Sequence, residues 1–478
     1  MNIVHITSEC YPAAKSGGLG DVVGALPKYL NKLGNKSSVI LPFYHNNWLK
    51  KADTEILFEG RAPFGADSFS FRVHKVIKPK LGFELMLIDI PGRFDRPGVY
   101  IDPWSGHPYW DEKERFFSFQ IASLEWLAHQ KARPDIIHCH DHHTALVPFM
   151  TSYCFRYEKF RNIPTVLTIH NGEYQGLYNR DSYSLLPAFN YEKIGMLDWN
   201  GSLNSLAAGI KSAWKVTTVS EGYLDELMEN CHGLELLLRH EKDKTAGILN
   251  GIDSEVWDPE SDPYLEHNFS IKNFKTGKKK NKSSLCDTFN LDSSRPLFSF
   301  IGRLVREKGA DILPELITSC KEQNVDASFF VLGTGDPALH TLFKTLQGEF
   351  VGYFDTRLEY NEELAHRVYA GSDYLLMPSR VEPCGLNQLY SMRYGTIPVV
   401  RKTGGLADTV LDISKKDGYG LVFEEFDIDE AVDSIKRAVD LFNKKQLFNK
   451  NRKRIMNMDF SWESATKKYV SLYKSLII

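Results

Sequence analysis

The sequence predicts an α/β protein of two doubly wound domains, each built on a parallel sheet covered by helices. Short apolar, β-branched segments alternate with longer helical patterns along most of the 478 residues. Such alternation is typical of parallel sheets with helices on both faces. The series begins afresh in the second half of the chain, which favours two sheets over one long sheet. The strand segments are almost continuously apolar, as strands buried on both sides should be.

The first half contains a series of apolar segments with the length of strands. They lie at 2–8, 37–41, 83–90, 135–139, 164–169, 215–219 and 246–249. Between them, residues 19–33 and 112–129 repeat apolar side chains with the period of a helix. These elements predict a first domain at 1–250.

The second half repeats the pattern and predicts a second domain at 251–460. Its expected strands lie at 297–301, 328–332, 349–353, 373–377, 397–400 and 419–423. Its expected helices lie at 308–322, 336–348, 361–371, 386–394, 428–443 and 461–476. We expect the last helix, within 461–478, to pack back on the first domain.

A polar stretch at 258–294 connects the two series, and it contains a lysine-rich run at 275–282. Runs of like charge are usually solvated. A solvated connecting loop is therefore the favoured interpretation, and a role in contacting phosphate is the alternative.

The overall charge argues against polyanionic partners. The chain carries 58 Lys and Arg against 61 Asp and Glu, a formal net charge of −3. Proteins that bind nucleic acid or an anionic membrane are usually basic, so neither partner is expected. No apolar run approaches the ~18 residues of a membrane span. The 7 cysteines are odd in number and scattered, and no signal peptide is evident, which favours the cytoplasm.

A glycine-rich segment follows the first predicted strand. It has the sequence Lys15-Ser16-Gly17-Gly18-Leu19-Gly20-Asp21. Glycines let a backbone approach a ligand closely, and the helix that follows points free N–H groups at it. Lys15 adds a positive charge suited to phosphate. A tight strand–helix turn without a ligand is the alternative, because the segment matches neither common nucleotide-binding glycine motif.

Polar residues also follow three later strands of the first half. They are Asp141 in the segment His138-Cys139-His140-Asp141-His142-His143, then His170, and then Asn250. Ligands of open α/β sheets bind at this edge, although each residue alone could equally serve a turn. The histidine-rich segment suggests a metal site, but neighbouring strand residues point to opposite faces. We therefore expect no metal there, and expect Asp141 to bind a substrate hydroxyl.

The second predicted domain has similar features at its strand ends. Arg303 and Lys308 bracket the expected start of a helix, which suits a diphosphate or else is surface charge. The segment 382–386, Glu-Pro-Cys-Gly-Leu, follows the fourth strand and can bring backbone amides close to a ligand. The next strand ends at Thr403-Gly404-Gly405. Two such loops, facing residues 15–21, predict a nucleotide held between the domains.

These motifs resemble those of bacterial glycogen synthases and plant starch synthases, which are retaining glycosyltransferases of the two-domain GT-B architecture. The resemblance spans nearly the whole chain, from 15–21 through His170-Asn171 and 174–176 to Arg303, Lys308, 382–386 and 403–408. It implies two Rossmann-like domains facing a deep interdomain cleft, with the acceptor side at 1–250 and the nucleotide-sugar site at 251–460. It also implies glucose transfer from ADP-glucose to the non-reducing end of an α-1,4-glucan, with retention of anomeric configuration.

Matched motif by motif, the resemblance assigns roles to individual residues. Glu382 would contact the transferred glucose beside His170 and Asp141, while Arg303 and Lys308 would bind the donor diphosphate. The other donor-binding residues that it implies are Lys15, Gly18, Asp21, Asn250, Tyr360, Cys384, Gly385, Leu386, Thr403, Gly404 and Gly405, with Tyr360 stacked on the base. No cofactor and no metal are implied, because the two cations meet the charge of the leaving group.

One departure from the family leaves other functions open. Ala207 stands where the family usually has a lysine, and Lys211, one helical turn later, is a possible substitute. The alternatives are a UDP-glucose-dependent glucosyltransferase, a sugar-nucleotide epimerase or a glucan phosphorylase of similar architecture. An inactive glucan-binding relative is a further alternative, which Ala207 supports.

Overall fold

The computed structural model describes residues 1–77 and 80–477, which divide into two compact units. The first unit comprises Met1–Val219, Leu224–Ile248 and the C-terminal segment from Trp462. The second comprises Ser220–Tyr223 and Leu249–Ser461. Each unit contains a largely parallel sheet with helices between its strands, so the predicted α/β fold of two doubly wound domains is confirmed.

The first unit is built on a nine-stranded sheet and a small three-stranded sheet. Its strands are β1 (Asn2–Ile6), β2 (Lys36–Pro42), β3 (Thr54–Phe64), β4 (Asp67–Val76), β5 (Glu84–Asp89), β6 (Ile136–His140), β7 (Thr165–Ile169), β8 (Leu177–Tyr178), β9 (Asp198–Trp199), β10 (Ser202–Asn204), β11 (Lys215–Thr218) and β12 (Thr245–Gly247). The large sheet has the order β12-β11-β7-β6-β1-β2-β5-β4-β3. β4 pairs antiparallel with both β3 and β5, and the other pairs are parallel. The small antiparallel sheet has the order β8-β10-β9.

The second unit is built on a six-stranded, fully parallel sheet. Its strands are β13 (Leu297–Ile301), β14 (Ser328–Leu332), β15 (Phe354–Arg357), β16 (Tyr374–Met377), β17 (Ile397–Arg401) and β18 (Leu421–Phe423), in the order β15-β14-β13-β16-β17-β18. β14 and β16 are buried along their whole length. That burial matches their unbroken run of apolar residues, because helices cover both faces of a parallel sheet.

Helices fill the connections between these strands. Along the chain they are α1 (Gly18–Lys32), α2 (Asn47–Lys51), α3 (Glu112–His129), α4 (Leu146–Tyr153), α5 (Ser205–Ser212), α6 (Glu221–Glu229), α7 (Glu235–His240), α8 (Phe274–Thr288), α9 (Leu313–Glu322), α10 (Pro337–Glu349), α11 (Glu362–Gly371), α12 (Asn387–Arg393), α13 (Gly404–Thr409), α14 (Ile428–Asn443), α15 (Lys445–Met456) and α16 (Trp462–Leu476). Side-chain caps fix several starts. The Asn361 side chain accepts from the Leu364 N–H at α11, and Asp427 accepts from Asp429 and Glu430 at α14.

The last helix, α16, belongs to the core of the first unit. Its Trp462, Tyr469 and Tyr473 are buried in one apolar cluster with Ile3 and Val22, from the first strand and the first helix. None of the three aromatic side chains is more than 3% exposed. Residues 462–476 therefore complete a core that the first residues of the chain begin.

The predicted loop at 258–294 is wrong, because α8 occupies 274–288. Its lysine-rich run is not uniformly solvated, since Lys278 and Lys282 are buried. The Lys278 ammonium donates to the carbonyl oxygens of Tyr369, Ala370 and Tyr394 and to the Thr396 hydroxyl, at 2.7–3.1 Å. Two of those carbonyls lie at the end of α11, where they have no partner within the helix. The Lys278 side chain on α8 thus holds α11 and the segment after α12 together, although burial lowers its pKa well below the usual lysine value.

Two other boundaries differ from the sequence prediction. The helix expected at 308–322 begins only at Leu313, because Gly309 adopts a left-handed conformation with φ of 66° between two 3₁₀ turns. The strand expected at 349–353 is a turn around Gly352, whose φ is 79°, and the strand β15 follows it. Sequence patterns also missed the β3–β4 hairpin and α15.

No helix among residues 1–77 and 80–477 is both long and apolar enough to span a lipid bilayer.

Replacing Lys278 tests the contribution of its buried ammonium. We expect Lys278→Met to lower the free energy of unfolding by about 2–4 kcal/mol, because buried carbonyl oxygens lose a shared hydrogen-bond donor. Urea unfolding of the full chain measures the difference. The matched control is Lys280→Met on the same helix, whose side chain is exposed and which should change stability by less than about 0.5 kcal/mol. Equal losses in both variants would contradict this account.

Candidate functional site

The first unit gathers its polar loops at one edge of its large sheet. β7, β6 and β1 are neighbours and run parallel. Their carboxyl ends therefore lie side by side, and the loops that leave them carry Lys15, Asp141 and His170. In open α/β sheets, ligands bind at this edge.

The glycine-rich segment after β1 is organised by a buried carboxylate, Glu9. Glu9 Oε2 accepts hydrogen bonds from the backbone N–H groups of Ser16 (2.5 Å) and Gly17 (2.8 Å). Its Oε1 accepts one from the Tyr100 hydroxyl at 2.8 Å. Burial raises the pKa of Glu9, although these three donors oppose the shift. Sequence analysis missed Glu9, which stands at a strand end like the residues that it did find.

Lys15 and Asp21 form an ion pair across the same segment. The Lys15 Nζ lies 2.7 Å from Asp21 Oδ1, and both side chains are partly exposed. Gly17 and Gly18 face open space where a Cβ atom would point. The start of α1 therefore presents backbone and a lysine on an accessible surface, which is an arrangement suited to an anion.

Asp141 joins the loop after β6 to the loop after β7. Its Oδ1 accepts hydrogen bonds from the backbone N–H groups of His170 (2.7 Å) and Asn171 (3.3 Å). Its backbone is left-handed, with φ of 55°, which is strained for a residue other than glycine. Burial raises the pKa of the Asp141 carboxyl to about 7. Asp141 is therefore partly protonated near neutral pH.

His170 is nearly buried, with 8% of its surface exposed. Its Nε2 lies 3.0 Å from the Nδ1 of His140. Burial lowers the pKa of His170 to about 3, so the ring is neutral. The structure thus brings Asp141 and His170 together, through the His170 backbone, as the sequence predicts for neighbouring strand ends.

The second unit has an equivalent edge. β13, β16 and β17 are neighbours and parallel, and the loops after them carry 302–309, 378–386 and 402–405. These loops touch. A Cβ atom at Gly309 would lie 1.9 Å from the Pro378 carbonyl oxygen, and one at Gly405 would lie 2.0 Å from that of Cys384. Only glycine fits at either position, and these contacts lock the three loops together.

Glu382 is the centre of this second edge. The Lys308 Nζ lies 2.6 Å from Glu382 Oε1, and the Ser379 hydroxyl donates to Oε2 at 3.1 Å. The Glu382 side chain is 7% exposed, against 27% for Lys308. The Gly405 N–H donates to the Glu382 carbonyl oxygen at 3.0 Å. Two contacts therefore hold the Glu382 carboxylate, and a third holds its backbone, beside a partly exposed cation.

Arg303 lies on the first of these loops but makes a different contact. Its Nη2 is 3.2 Å from Glu307 Oε2, and its side chain is 65% exposed. The Glu307 carbonyl oxygen accepts from the Arg380 N–H at 2.8 Å. Arg303 therefore shares the loop 302–309 with Lys308, and its guanidinium is open to solvent.

Of the remaining residues predicted to bind the donor, Asn250 and Tyr360 lie outside these loops, and the others lie on them. Asn250, predicted within the first domain, falls in the second unit. Cys384 is buried, which raises the pKa of its thiol to about 12, while hydrogen bonds from Asn250 oppose the shift. Asn250 is 5% exposed, and its Oδ1 has no partner among the described residues. Gly385 is left-handed, with φ of 71°. Leu386 and residues 403–405 precede or begin α12 and α13.

Tyr360 follows β15, which is an edge strand of the sheet. Its side chain is 80% exposed, and its hydroxyl donates to Glu362 Oε2 at 3.2 Å. Two strands, β14 and β13, separate β15 from β16, which leads to Glu382.

Ala207 is completely buried near the start of α5, where its N–H bonds to the Asn204 side chain. Whether Lys211 substitutes for the missing lysine stays a prediction. Its Nζ donates to the carbonyl oxygens of Gly195 (3.0 Å) and Asp198 (2.7 Å). Burial lowers the pKa of Lys211.

Among the described residues, two groups bring potential metal-ligand atoms within 4.8 Å of one another: His5, His138 and His140, and Glu112, His142 and His143. In the second group, Glu112 Oε1 lies 3.4 Å from His142 Nε2 and 3.7 Å from His143 Nε2. The predicted absence of a metal therefore stays a prediction.

Comparison with known proteins covers nearly the whole chain. Residues 2–240 match the family described as the starch synthase catalytic domain, and residues 285–455 match glycosyl transferases group 1. The glycogen synthase of Flavobacterium johnsoniae is 48% identical over 478 residues, which cover 100% of this chain and 99% of that protein. The glycogen synthase of Streptococcus gordonii is 38% identical, with 100% of both proteins covered.

Solved structures agree. The catalytic domain of starch synthase IV from Arabidopsis thaliana, bound to ADP and acarbose, has a TM-score of 0.86 and 31% identity, covering 100% of this chain and 99% of that one. Sucrose-phosphate synthase from Thermosynechococcus elongatus has a TM-score of 0.61 and 17% identity, covering 99% and 98%. The second likeness concerns the fold alone.

The raised pKa of Asp141 predicts a dependence of stability on pH. In the folded chain the Asp141 carboxyl keeps its proton up to about pH 7, whereas an ordinary aspartate loses its proton near pH 3.8. The stabilisation from that proton is complete below pH 3.8 and is lost as the pH rises through 7. Asp141→Asn removes the titration. We therefore expect its free energy of unfolding, relative to the original chain, to increase from about pH 4 to about pH 8.

Urea unfolding of both proteins across that interval measures the difference. The control is Asp135→Asn, which removes the carboxylate immediately before β6, the strand that Asp141 follows. A difference between Asp141→Asn and the original chain that is constant with pH would contradict the raised pKa.

Proposed function

The chain belongs to the glycogen synthase and starch synthase family that its motifs predict, and we propose that it transfers glucose from ADP-glucose to an α-1,4-glucan. The glucose joins the non-reducing end of the acceptor, with retention of its anomeric configuration. The observation that carries this proposal is the ion pair between Lys308 Nζ and Glu382 Oε1, which lie 2.6 Å apart. Both residues lie on loops that follow parallel strands. A cation and a carboxylate side by side suit a reaction that separates a diphosphate from a sugar.

The diphosphate of the donor binds to Arg303 and Lys308. The exposed guanidinium of Arg303 can donate two parallel N–H hydrogen bonds to a pair of phosphate oxygens. Lys308 is partly exposed and already directed at the site by Glu382. Lys15 and the Gly18 amide at the start of α1 add further contacts, and Asp21 orients Lys15 through their ion pair. Negative charge that develops on the leaving group is met by preorganised cations, which lowers the barrier.

The transferred glucose lies against Glu382 and the loop that follows it. Cys384, Gly385 and Leu386 offer backbone groups, and the left-handed Gly385 allows close approach. Asn250 contributes a buried Oδ1 that accepts no hydrogen bond from any described residue.

Three further sets of residues complete the site. Asp141 and His170 contact the same sugar. Thr403, Gly404 and Gly405 hold the donor at the start of α13. Tyr360 stacks on the base. The solved relative that holds ADP supports an adenine nucleotide as the leaving group.

The reaction proceeds by departure of the diphosphate on the face that the acceptor hydroxyl attacks. The bond between the anomeric carbon and the phosphate oxygen breaks, and the leaving phosphate accepts the proton of the acceptor hydroxyl. Glu382 stabilises the positively charged sugar without a covalent bond to it. Isolation of a glycosyl ester on Glu382 would contradict this step. No metal takes part, so we expect EDTA to leave the rate unchanged.

We place the protein in the cytoplasm. All seven cysteines are buried free thiols, which is the state that a reducing compartment maintains.

The donor and the product test the function directly. Purified chain is incubated with glycogen and either ADP-glucose or UDP-glucose, and proton NMR identifies the new linkage. We expect a higher kcat/KM with ADP-glucose and an α-1,4 linkage. Release of an isomerised free sugar, turnover only with phosphate, or glucan binding without turnover at high enzyme concentration would reject the proposal.

Arg303→Ala tests the charge assigned to the diphosphate site. We expect it to raise the barrier by about 2–4 kcal/mol, which is a loss of about 30-fold to 1,000-fold in kcat, because one preorganised cation is lost. The matched control is Arg306→Ala, an exposed arginine three residues later, which should change kcat by less than about 2-fold. If both variants lose activity equally, Arg303 has no specific role.

A further inference from the structure

A series of three imidazoles runs through the core of the first unit and ends at His170. We call His5, His140 and His170 the imidazole series. The Nδ1 of His5 lies 3.1 Å from the Nε2 of His140, and the Nδ1 of His140 lies 3.0 Å from the Nε2 of His170. His5 and His140 are completely buried. The series therefore links the first strand to the proposed sugar site through two hydrogen bonds.

All three rings are neutral. Burial lowers the pKa of His5 and of His170 to about 3, and that of His140 well below its usual value. A neutral imidazole has one N–H donor and one nitrogen acceptor. Each hydrogen bond therefore needs a donor on one ring and an acceptor on the next, and the protons of the whole series must point the same way.

Only two arrangements satisfy both hydrogen bonds. In the first, His5 Nδ1–H donates to His140, and His140 Nδ1–H donates to His170. In the second, His170 Nε2–H donates to His140, and His140 Nε2–H donates to His5. The two differ at the ends of the series, at His5 Nε2 and at His170 Nδ1.

The environment of His5 Nε2, at the buried end of the series, decides which of the two arrangements is more stable. His5 Nε2 has no hydrogen-bond partner among the described residues. The first arrangement leaves a lone pair there, whereas the second leaves a buried N–H without an acceptor. Orphaned buried N–H groups are rarer than under-satisfied acceptors in folded proteins. The first arrangement is thus the stable one.

We propose that His5 and His140 are positioning residues that hold His170 as the tautomer protonated at Nδ1. His170 then offers Nδ1–H as a hydrogen-bond donor, and not as an acceptor, at the carboxyl edge of the sheet. The choice of tautomer stands on the geometry of the imidazole series. Only its use, donation to an oxygen of the transferred glucose, rests on the proposed function.

His138 is the natural control because it is adjacent but outside the series. Its ring stacks on His140 with centroids 4.3 Å apart. Its Nδ1 bonds to the Tyr473 hydroxyl at 2.8 Å and its Nε2 to the Thr168 hydroxyl at 2.6 Å. Both nitrogens are thus engaged by hydroxyl groups, which impose no direction on the series.

The same buried histidines raise the alternative of a metal site. A metal ion shared by His5 and His140 would need a lone pair from each at their contact, and would replace the hydrogen bond there. To be the third ligand, His138 would have to give up its hydrogen bond to Tyr473 or to Thr168. The observed contacts favour hydrogen bonds, and a titration with Co²⁺ decides. Stoichiometric Co²⁺ binding that His140→Phe abolishes would overturn the proposal.

The direct test is the tautomer itself. The full chain is labelled with [¹⁵N]histidine, and a multiple-bond ¹H–¹⁵N correlation spectrum at neutral pH identifies the protonated nitrogen of each ring. The signals of His170 are those missing from His170→Gln. We expect His170 and His140 to be protonated at Nδ1. A His170 ring protonated at Nε2 overturns the proposal.

Kinetics test the consequence. His140→Phe keeps the ring but removes both nitrogens, and we expect kcat to fall about 10-fold while the KM for ADP-glucose changes less than about 2-fold. His140→Gln keeps a donor and an acceptor and should recover part of the loss. His138→Gln should leave kcat within about 2-fold. An unchanged kcat in His140→Phe, or an equal loss in His138→Gln, overturns the positioning role.

The two proposals fail separately. If the chain transfers no glucose but His170 is protonated at Nδ1, the imidazole series stands and the proposed function falls. If the chain transfers glucose but His170 is protonated at Nε2, the function stands and the series does not set the tautomer. The spectrum needs no activity, and it is decisive even where a His140 variant fails to fold.

Discussion

Parallel strands place all their carboxyl ends at one edge of a sheet, and this constraint decides where both units hold their reactive side chains. In the first unit, the loops after β1, β6 and β7 meet there. In the second, the loops after β13, β16 and β17 meet there. Residues far apart along the chain become neighbours for this reason alone, as the 74 residues between Lys308 and Glu382 illustrate.

The two units handle buried polarity at that edge in opposite ways. The second unit keeps a charge pair, in which the carboxylate of Glu382 is balanced by Lys308 and by the Ser379 hydroxyl. In the first unit, burial penalises the ionised forms of the side chains around Asp141. His140 and His170 are neutral and Asp141 is partly protonated, because desolvation is the largest influence on each.

Sequence patterns predict the core of this fold well. Strands 297–301 and 328–332 and helices 112–129 and 428–443 have the boundaries of the structure, because unbroken apolar runs and strong helical periodicity leave little ambiguity. The failure at 258–294 has a physical cause. A lysine looks solvated in a sequence, and nothing local reveals that carbonyl oxygens about 90 residues away will surround it, as they do Lys278.

The same limit applies to the candidate site. Spacing along the chain identifies strand ends, and so it identified Asp141, His170, Lys308 and Glu382. It does not identify which groups bond to them. Glu9 was missed because its role depends on a turn that brings Ser16 and Gly17 back to it. His5 was missed because its partner His140 lies 135 residues away.

The membership of α16 in the first unit has a consequence for biosynthesis. A ribosome releases residues 462–476 only after the whole of the second unit has been made. Until then, the surface that Trp462, Tyr469 and Tyr473 cover is exposed around Ile3 and Val22. The second unit, whose segment 249–461 is continuous, can fold as it emerges. The half of the protein that is translated first is thus the half that matures last.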